Sequence, residues 1–220
     1  MIPWHEQDLF WETMASKMFT PAAWQQAAME VDQLLALASP PAGAHVLDLC
    51  CGPGRHSLEL ARRGYIVKGV HRTAKYLESA RAKAAAEGLT NAEFVSGDMR
   101  TYREPMSFDL VLNLFTSFGY FDNQSEDAAV MRNIYSSLRP GGKMVLDVLG
   151  KEVLAAKFRP RDWHEQDGVM FLEERVLSRD WGWIEDRWIR IDGGERTEFT
   201  LSHRLYSAAE LRTLVVTAGF

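Results

Sequence analysis

The stretch VLDLCCGPGRH, residues 46–56, decides how the rest of the chain is read. A short apolar run ends at Asp48-Leu49, a glycine turn follows, and the residues after it suit the first turn of a helix. Small residues in such a turn let a ligand approach the backbone, and the free N–H groups of a helix start favour polar or anionic ligand groups. In a doubly wound sheet the ligand crevice lies at the carboxyl ends of the strands.

Outward from this stretch the pattern alternates. HVLDL (45–49), YIVKGV (65–70), AEFVSGD (92–98) and FDLVLNLF (108–115) read as strands, and GRHSLELARRG (54–64) and TAKYLESARAKAAAEG (73–88) as helices, the second closed by Gly88. Ser125 is placed to cap a helix running to Leu138, and LRPGGKMVLDVLG (138–150) reads as a helix stop, a tight turn and a buried strand. Alternating strands and helices predict an α/β fold with a doubly wound, mostly parallel sheet and flanking helices.

The flanks differ. Residues 5–38 are expected to be helical, with Leu9, Phe10, Met14, Met18 and Phe19 at helical spacing and Pro21 opening a second helix. After residue 160, VMFLEERVL, WIEDRWIRI and RTEFTLSHRLY predict three antiparallel strands, with Asp192-Gly193-Gly194 as the turn between the last two. Ser207-Ala208-Ala209-Glu210 is a capping box for a last helix whose apolar face is Leu211, Leu214 and Val215.

The 220 residues are 46% hydrophobic and 25% charged, with a net charge of -5 and no basic run, which argues against a nucleic-acid partner. The N-terminal MIPWHEQDLFWETM lacks a secretory pattern, and no apolar run reaches the roughly 18 residues of a membrane span. Adjacent Cys50 and Cys51 fit a reduced, cytoplasmic protein, and with no C-x-x-C pair no metal site is expected.

Four segments, in order, resemble class I S-adenosylmethionine-dependent methyltransferases of the small-molecule branch. They are the glycine loop with Asp48, Gly52 and Gly54, the SGDMRTY turn with Asp98 and Met99, FDLVLNLFTSFGYF, and LRPGGKMVLDV. The resemblance covers most of residues 40–150, and YSAAELRTLVVTAGF (206–220) resembles a late helix of that fold. It implies S-adenosylmethionine as cofactor, held by Asp48, Cys50, Gly52, Gly54, His71, Arg72, Asp98, Met99, Asn113 and Phe115. It also implies a division into an N-terminal helical lid (1–40), a cofactor-binding core (41–150), a small antiparallel β appendage (151–206) and a final helix of the core (207–220). A dinucleotide dehydrogenase is the rival reading, but Gly52-Pro53-Gly54-Arg55-His56-Ser57 is an incomplete fingerprint for it.

Where the resemblance expects Asp or Glu at the tip of the second strand, to accept from both ribose hydroxyls, this chain has His71. A neutral imidazole has one acceptor and one donor nitrogen. Three readings stay open: a weaker ribose contact, costing roughly 1.5–3 kcal/mol; a fold that has lost turnover; or a His71 turned to solvent, with Arg72 meeting the ribose.

Methyl transfer is an in-line displacement that depends on positioning and water exclusion. The TSFGYF loop (116–121) is expected to face the methyl group, with Tyr120 touching the acceptor and Phe118 and Phe121 shaping the pocket. His56 is the leading base candidate, beside His164 and His203, and Trp4, Trp11, Met18 and Phe19 are candidates to line the lid. Trp163, Trp181, Trp183 and Trp188 suit a substrate wall or a dimer contact. The sequence stops at Ala218-Gly219-Phe220, where the resemblance implies two more strands, so an exposed sheet edge and a homodimer are expectations. The expected function is methyl transfer from S-adenosylmethionine to an O, N or C nucleophile of a small molecule. The alternative is a catalytically impaired methyltransferase-fold protein acting as a binding or scaffold module.

Overall fold

The computed structural model of the protein describes residues 2–178 and 180–220. Its centre is β1 (His45–Leu49), hydrogen-bonded on one side to β2 (Ile66–His71) and on the other to β4 (Phe108–Asn113). β3 (Ala92–Ser96) and β5 (Leu138–Leu146) complete a five-stranded parallel sheet of order β3-β2-β1-β4-β5. Order reverses between β1 and β4, so their carboxyl ends flank the crevice expected of a doubly wound sheet.

Both faces of β1 are buried, and its side chains alternate between two cores. Leu47 and Leu49 pack with Val130, Met131 and Ile134 of α6 (Gln124–Ser137). Val46 packs with Val31 of α3 (Pro21–Ala38) and Leu60 of α4 (Arg55–Arg62). α5 (Ala74–Ala86) lies over β2 and β3, burying Leu77 and Ala80 against Phe94. The Thr20 side chain accepts from Ala23 N at 3.1 Å, with Pro21 in the first turn of α3. Ser207 and Glu210 form the expected capping box of α8 (Ala208–Ala218).

Several expectations are corrected. The cap of α6 is Asn123, whose Oδ1 accepts from Ser125 N at 3.0 Å, so the helix begins before Ser125. β5 is not a buried strand: it pairs only with β4, and most of its residues are half-buried or exposed. α7 (Lys151–Lys157) follows it and was not foreseen. Pro21 opens α3 as expected, but the stretch before it is a 3-10 turn (Trp4–Glu6), α1 (Asp8–Thr13) and α2 (Ala15–Met18) rather than one helix.

The second sheet has four strands, not three: β6 (Arg161–Gln166), β7 (Val169–Leu177), β8 (Trp183–Asp192) and β9 (Glu195–Arg204), antiparallel and in that order. β6 is an exposed edge strand with little apolar content, so period-two alternation does not mark it. Its local signal is Asp167-Gly168, both at positive φ, the same two-residue turn that Gly193-Gly194 make between β8 and β9. Phe10 and Met14 pack on Phe171 and Leu201, and Trp4 Nε1 donates to Ser202 O at 2.8 Å. The N-terminal helices are thereby tied to the antiparallel sheet.

Gly69, in the middle of β2, shows how tightly the layers meet. A Cβ there would lie 2.6 Å from the Phe94 ring and 3.0 Å from Cys51 Sγ. Gly69→Ala is expected to lower stability by about 1–3 kcal/mol through overpacking. Urea unfolding checks this, and an unchanged midpoint would contradict the packing described.

Candidate active site

β1 hands the chain to α4 through a turn with two constraints. Cys50 N and Cys51 N both donate to Val70 O, at 2.8 and 3.0 Å, which binds the turn to the tip of β2. Gly52 and Gly54 then take φ of 56° and 83°, and a Cβ on Gly54 would press on Phe94 and Ala80 at about 3 Å. Glycine at 54 therefore serves helix-to-strand packing as well as conformation. At Gly52 the nearest neighbour is the Phe19 ring, 3.0 Å from where a Cβ would stand.

Over this turn lies a cavity of about 130 Å³. Small-ligand pockets commonly hold roughly 300–1,000 Å³, so this cavity is smaller than most. The strand ends contribute Cys50, Gly52, His71, Arg72, Asp98 and Met99, and the loop after β4 contributes Phe115, Ser117, Tyr120 and Phe121. The N-terminal segment closes it with His5, Trp11 and Phe19. A chamber of about 180 Å³ adjoins it, sharing Cys50, Phe115 and Ser117 and lined also by Met18, Asp48, Arg55 and His56.

The sequence candidates thus divide. Cys50, Gly52, His71, Arg72, Asp98, Met99, Phe115 and Tyr120 meet at the main cavity. Asp48 and His56 belong to the adjoining chamber. Gly54 and Asn113 line neither; Asn113 is fully buried and its Nδ2 donates to Leu49 O at 3.2 Å, tying β4 to β1. His56 does not approach Tyr120, because the first turn of α4 faces α3: His56 Nε2 stands 2.8 Å from Glu30 Oε2, and the ring stacks on Phe115. His164 stacks on Phe171 in the antiparallel sheet, and His203 lines neither chamber.

Electrostatics distinguish the groups. Burial pushes the Asp48 carboxyl up, against the pull of His56 and the hydrogen bond from Ser57 Oγ at 2.5 Å. Burial pushes the Cys50 thiol up to about 12, so it is no thiolate nucleophile. The phenol of Tyr120 is raised by burial, leaving a neutral ring packed on Trp4 at 4.7 Å and His5 at 6.0 Å. Burial opposes ionisation of Asp98, yet hydrogen bonds from Arg100 hold its carboxyl below the usual range. Arg100 also binds Glu6 Oε1 at 2.6 Å and lies 4.9 Å from the Phe121 ring centre. One guanidinium thereby joins the Asp98 turn, the N-terminal segment and the loop after β4.

Of the three readings of His71, the geometry opposes the one that turns it to solvent. His71 lines the cavity rather than solvent, and burial, then the charge of Arg72, lower its pKa to about 4. Gly52 N donates to its Nδ1 at 3.4 Å, and its Nε2 is buried without a partner among the described residues. The rings of Trp11 and Tyr76 flank it at 5.9 and 5.3 Å, and the Tyr76 hydroxyl donates to Trp11 O. Phe115 and Thr116 both take positive φ, held by Asp147, whose Oδ2 accepts from Phe115 N and whose carbonyl accepts from Thr116 N. Sequence reasoning missed His5, Glu6 and Arg100, and named Ser117 only as part of the TSFGYF loop. Only Arg100, directly after the Asp98-Met99 pair, had a local signal.

Comparison with known proteins agrees with this geometry. Residues 46–142 match the family model described as a methyltransferase domain. A putative methyltransferase of Geobacillus is 34% identical over 103 residues, 47% of this chain and 41% of the relative. The CcbJ methyltransferase of Streptomyces caelestis superposes with a TM-score of 0.76 at 25% identity, covering 88% of this chain and 78% of that one. CalS10, an amino pentose methyltransferase from Micromonospora echinaspora solved with S-adenosylmethionine bound, gives 0.68 at 25% identity over 94% and 88%. The chain spans less than half the length of the first curated relatives it matches, a 23S rRNA uracil methyltransferase of Shewanella among them. Residues 46–142 thus match a methyltransferase domain, and the fold built around them is that of the class I methyltransferases dependent on S-adenosylmethionine.

Two predictions follow from the charges. His71 is neutral when folded down to about pH 4 and protonates near 6.5 when unfolded, so its contribution is complete above pH 6.5 and is lost as pH falls toward 4. Between pH 7 and 5 the protein is expected to lose about 2 kcal/mol more stability than a His71→Asn variant, measured by urea unfolding at both pH values. Glu6→Gln removes one anchor of the N-terminal segment, worth about 1 kcal/mol. Amide exchange in residues 4–13 is expected to rise about fivefold, with β1 and β4 unchanged; equal exchange would show that the ion pair does not seat the segment.

Proposed function

We propose that the protein transfers a methyl group from S-adenosylmethionine to a nucleophilic atom of a small molecule, with a sugar-like amine as the favoured acceptor class. The observation that carries this is the aromatic cavity at the carboxyl ends of β1 to β4, built on the Gly52 turn and opening beside Tyr120. The residues suit the cofactor. Gly52 puts no side chain into the cavity, Asp98 and Met99 line it and would meet an adenine, and His71 holds a buried nitrogen without a partner among the described residues. Asp48 and Arg55 in the adjoining chamber suit the ammonium and carboxylate of an amino-acid end.

Bound there, the cofactor supplies a methyl carbon made electrophilic by positively charged sulfur. The chain's part is to orient and to exclude water. Phe115 and Ser117 line both chambers, and residues 1–40 act as the lid over the core of residues 41–150. Tyr120 stays protonated and donates to the acceptor rather than taking its proton. His5 takes that role in place of His56: it lines the cavity beside Tyr120, and burial holds it neutral, ready to accept the proton that the acceptor nitrogen releases, before attack if it arrives as an ammonium or after the N–C bond forms if it attacks as the amine. The amine preference is supported by CalS10, named for an amino pentose.

Calorimetric titration with S-adenosylmethionine is expected to show micromolar binding, and amino sugars are expected to become methylated. His5→Gln is expected to lower turnover about 100-fold with little change in cofactor affinity. No binding of the cofactor, or methylation undiminished in His5→Gln, would overturn the corresponding part of the proposal.

A further inference from the structure

We infer that His71 sets the ribose end of the site with reversed hydrogen-bond polarity: it donates to the ligand through Nε2–H, where a carboxylate would accept. This rests on the cofactor reading above and goes beyond it by assigning His71 as a specificity-determining residue.

The tautomer follows from the neighbours. A backbone N–H can only donate, so the Gly52 N–H at 3.4 Å from Nδ1 requires a lone pair on Nδ1. The remaining proton of a neutral imidazole is then on Nε2. That nitrogen is buried and meets no acceptor among the described residues, so a ligand acceptor is what would satisfy it. The ring cannot turn to offer its lone pair without breaking the Gly52 contact and disturbing its packing between Trp11 and Tyr76. The charge around it agrees. Arg72 follows directly, with its guanidinium only loosely engaged, 3.8 Å from both Glu6 and Asp98. A donor beside a cation favours a ribose oxygen acting as acceptor and places no demand on its hydroxyl hydrogen.

The consequence concerns which ribose analogues bind. A carboxylate needs the ligand's hydroxyl to donate, and replacing that hydroxyl by fluorine sets two electron-rich atoms against each other. Nε2–H makes no such requirement. The test uses S-adenosylhomocysteine and its 2′-deoxy-2′-fluoro and 3′-deoxy-3′-fluoro analogues, titrated into the wild type and His71→Asp. The wild type is expected to bind both analogues within about threefold of the parent, while His71→Asp loses at least tenfold for one of them, the size of one lost charge-assisted hydrogen bond. A tenfold loss in the wild type, or the same ratios in both proteins, overturns the inference. Failure of the parent to bind either protein removes the cofactor reading itself, and this inference with it.

A second measurement does not depend on any variant folding. Nitrogen-15 spectra of the histidine side chains in the wild type at pH 7 distinguish the two neutral tautomers and the cation. A proton on Nε2 alone is expected for His71; a proton on Nδ1, or on both nitrogens, overturns the inference without touching the cofactor reading.

Discussion

The rest of the structure depends on the way the turn after β1 is held to β2. Two successive N–H groups, of Cys50 and Cys51, share the carbonyl of Val70, and the chain then needs left-handed backbone at Cys50, Gly52 and Gly54 to start α4. That arrangement leaves the Gly52 N–H pointing to the tip of β2, where it meets His71. The identity of one imidazole tautomer is thus a consequence of how a strand becomes a helix. It also explains why the cavity lies where it does: the turn bares backbone on the side where β2, β3 and β4 end.

The cavity is finished by chain distant from it in sequence. The N-terminal segment is fixed on one side by Trp4 and Phe10 against the antiparallel sheet and on the other by Glu6 against Arg100 in the turn after β3 and by the Trp11 carbonyl against Tyr76 of α5. Lys17 adds a further tie, ion-paired with Glu173 and 4.5 Å from the Trp188 ring. The β appendage therefore serves the site indirectly, as the surface on which the covering helices rest. Its four strands bury aromatic and charged groups together, including Glu173 and Asp186.

The parallel core was legible because its signals are local. Apolar runs of strand length, helices of period 3.6 and glycine turns name themselves within a few residues, and Gly193-Gly194 and the Ser207 capping box did so equally. β6 was illegible because an exposed edge strand needs no apolar alternation, whereas the exposed edge at β5 agrees with the expectation drawn from the missing strands. Of the site, the residues carried by β-strand ends could be named in advance. His56 could not be placed, since its side chain is claimed by Glu30 on α3, and His5 could not be found, since nothing near it in sequence shows that it folds over Tyr120.

The sequence by itself determined the strand-turn-helix at residues 46–56, the alternation that makes a parallel sheet, and the presence of histidine where an acid was expected. These depend on residue type and short-range spacing. Only the tertiary structure decided what that histidine does. Its protonation depends on burial and on Arg72, its tautomer on the Gly52 N–H across the crevice, and its exclusion from solvent on aromatic residues of α1 and α5. A hydrogen-bonding role belongs to a pair of groups and to the dielectric around them, and those are fixed when distant segments pack.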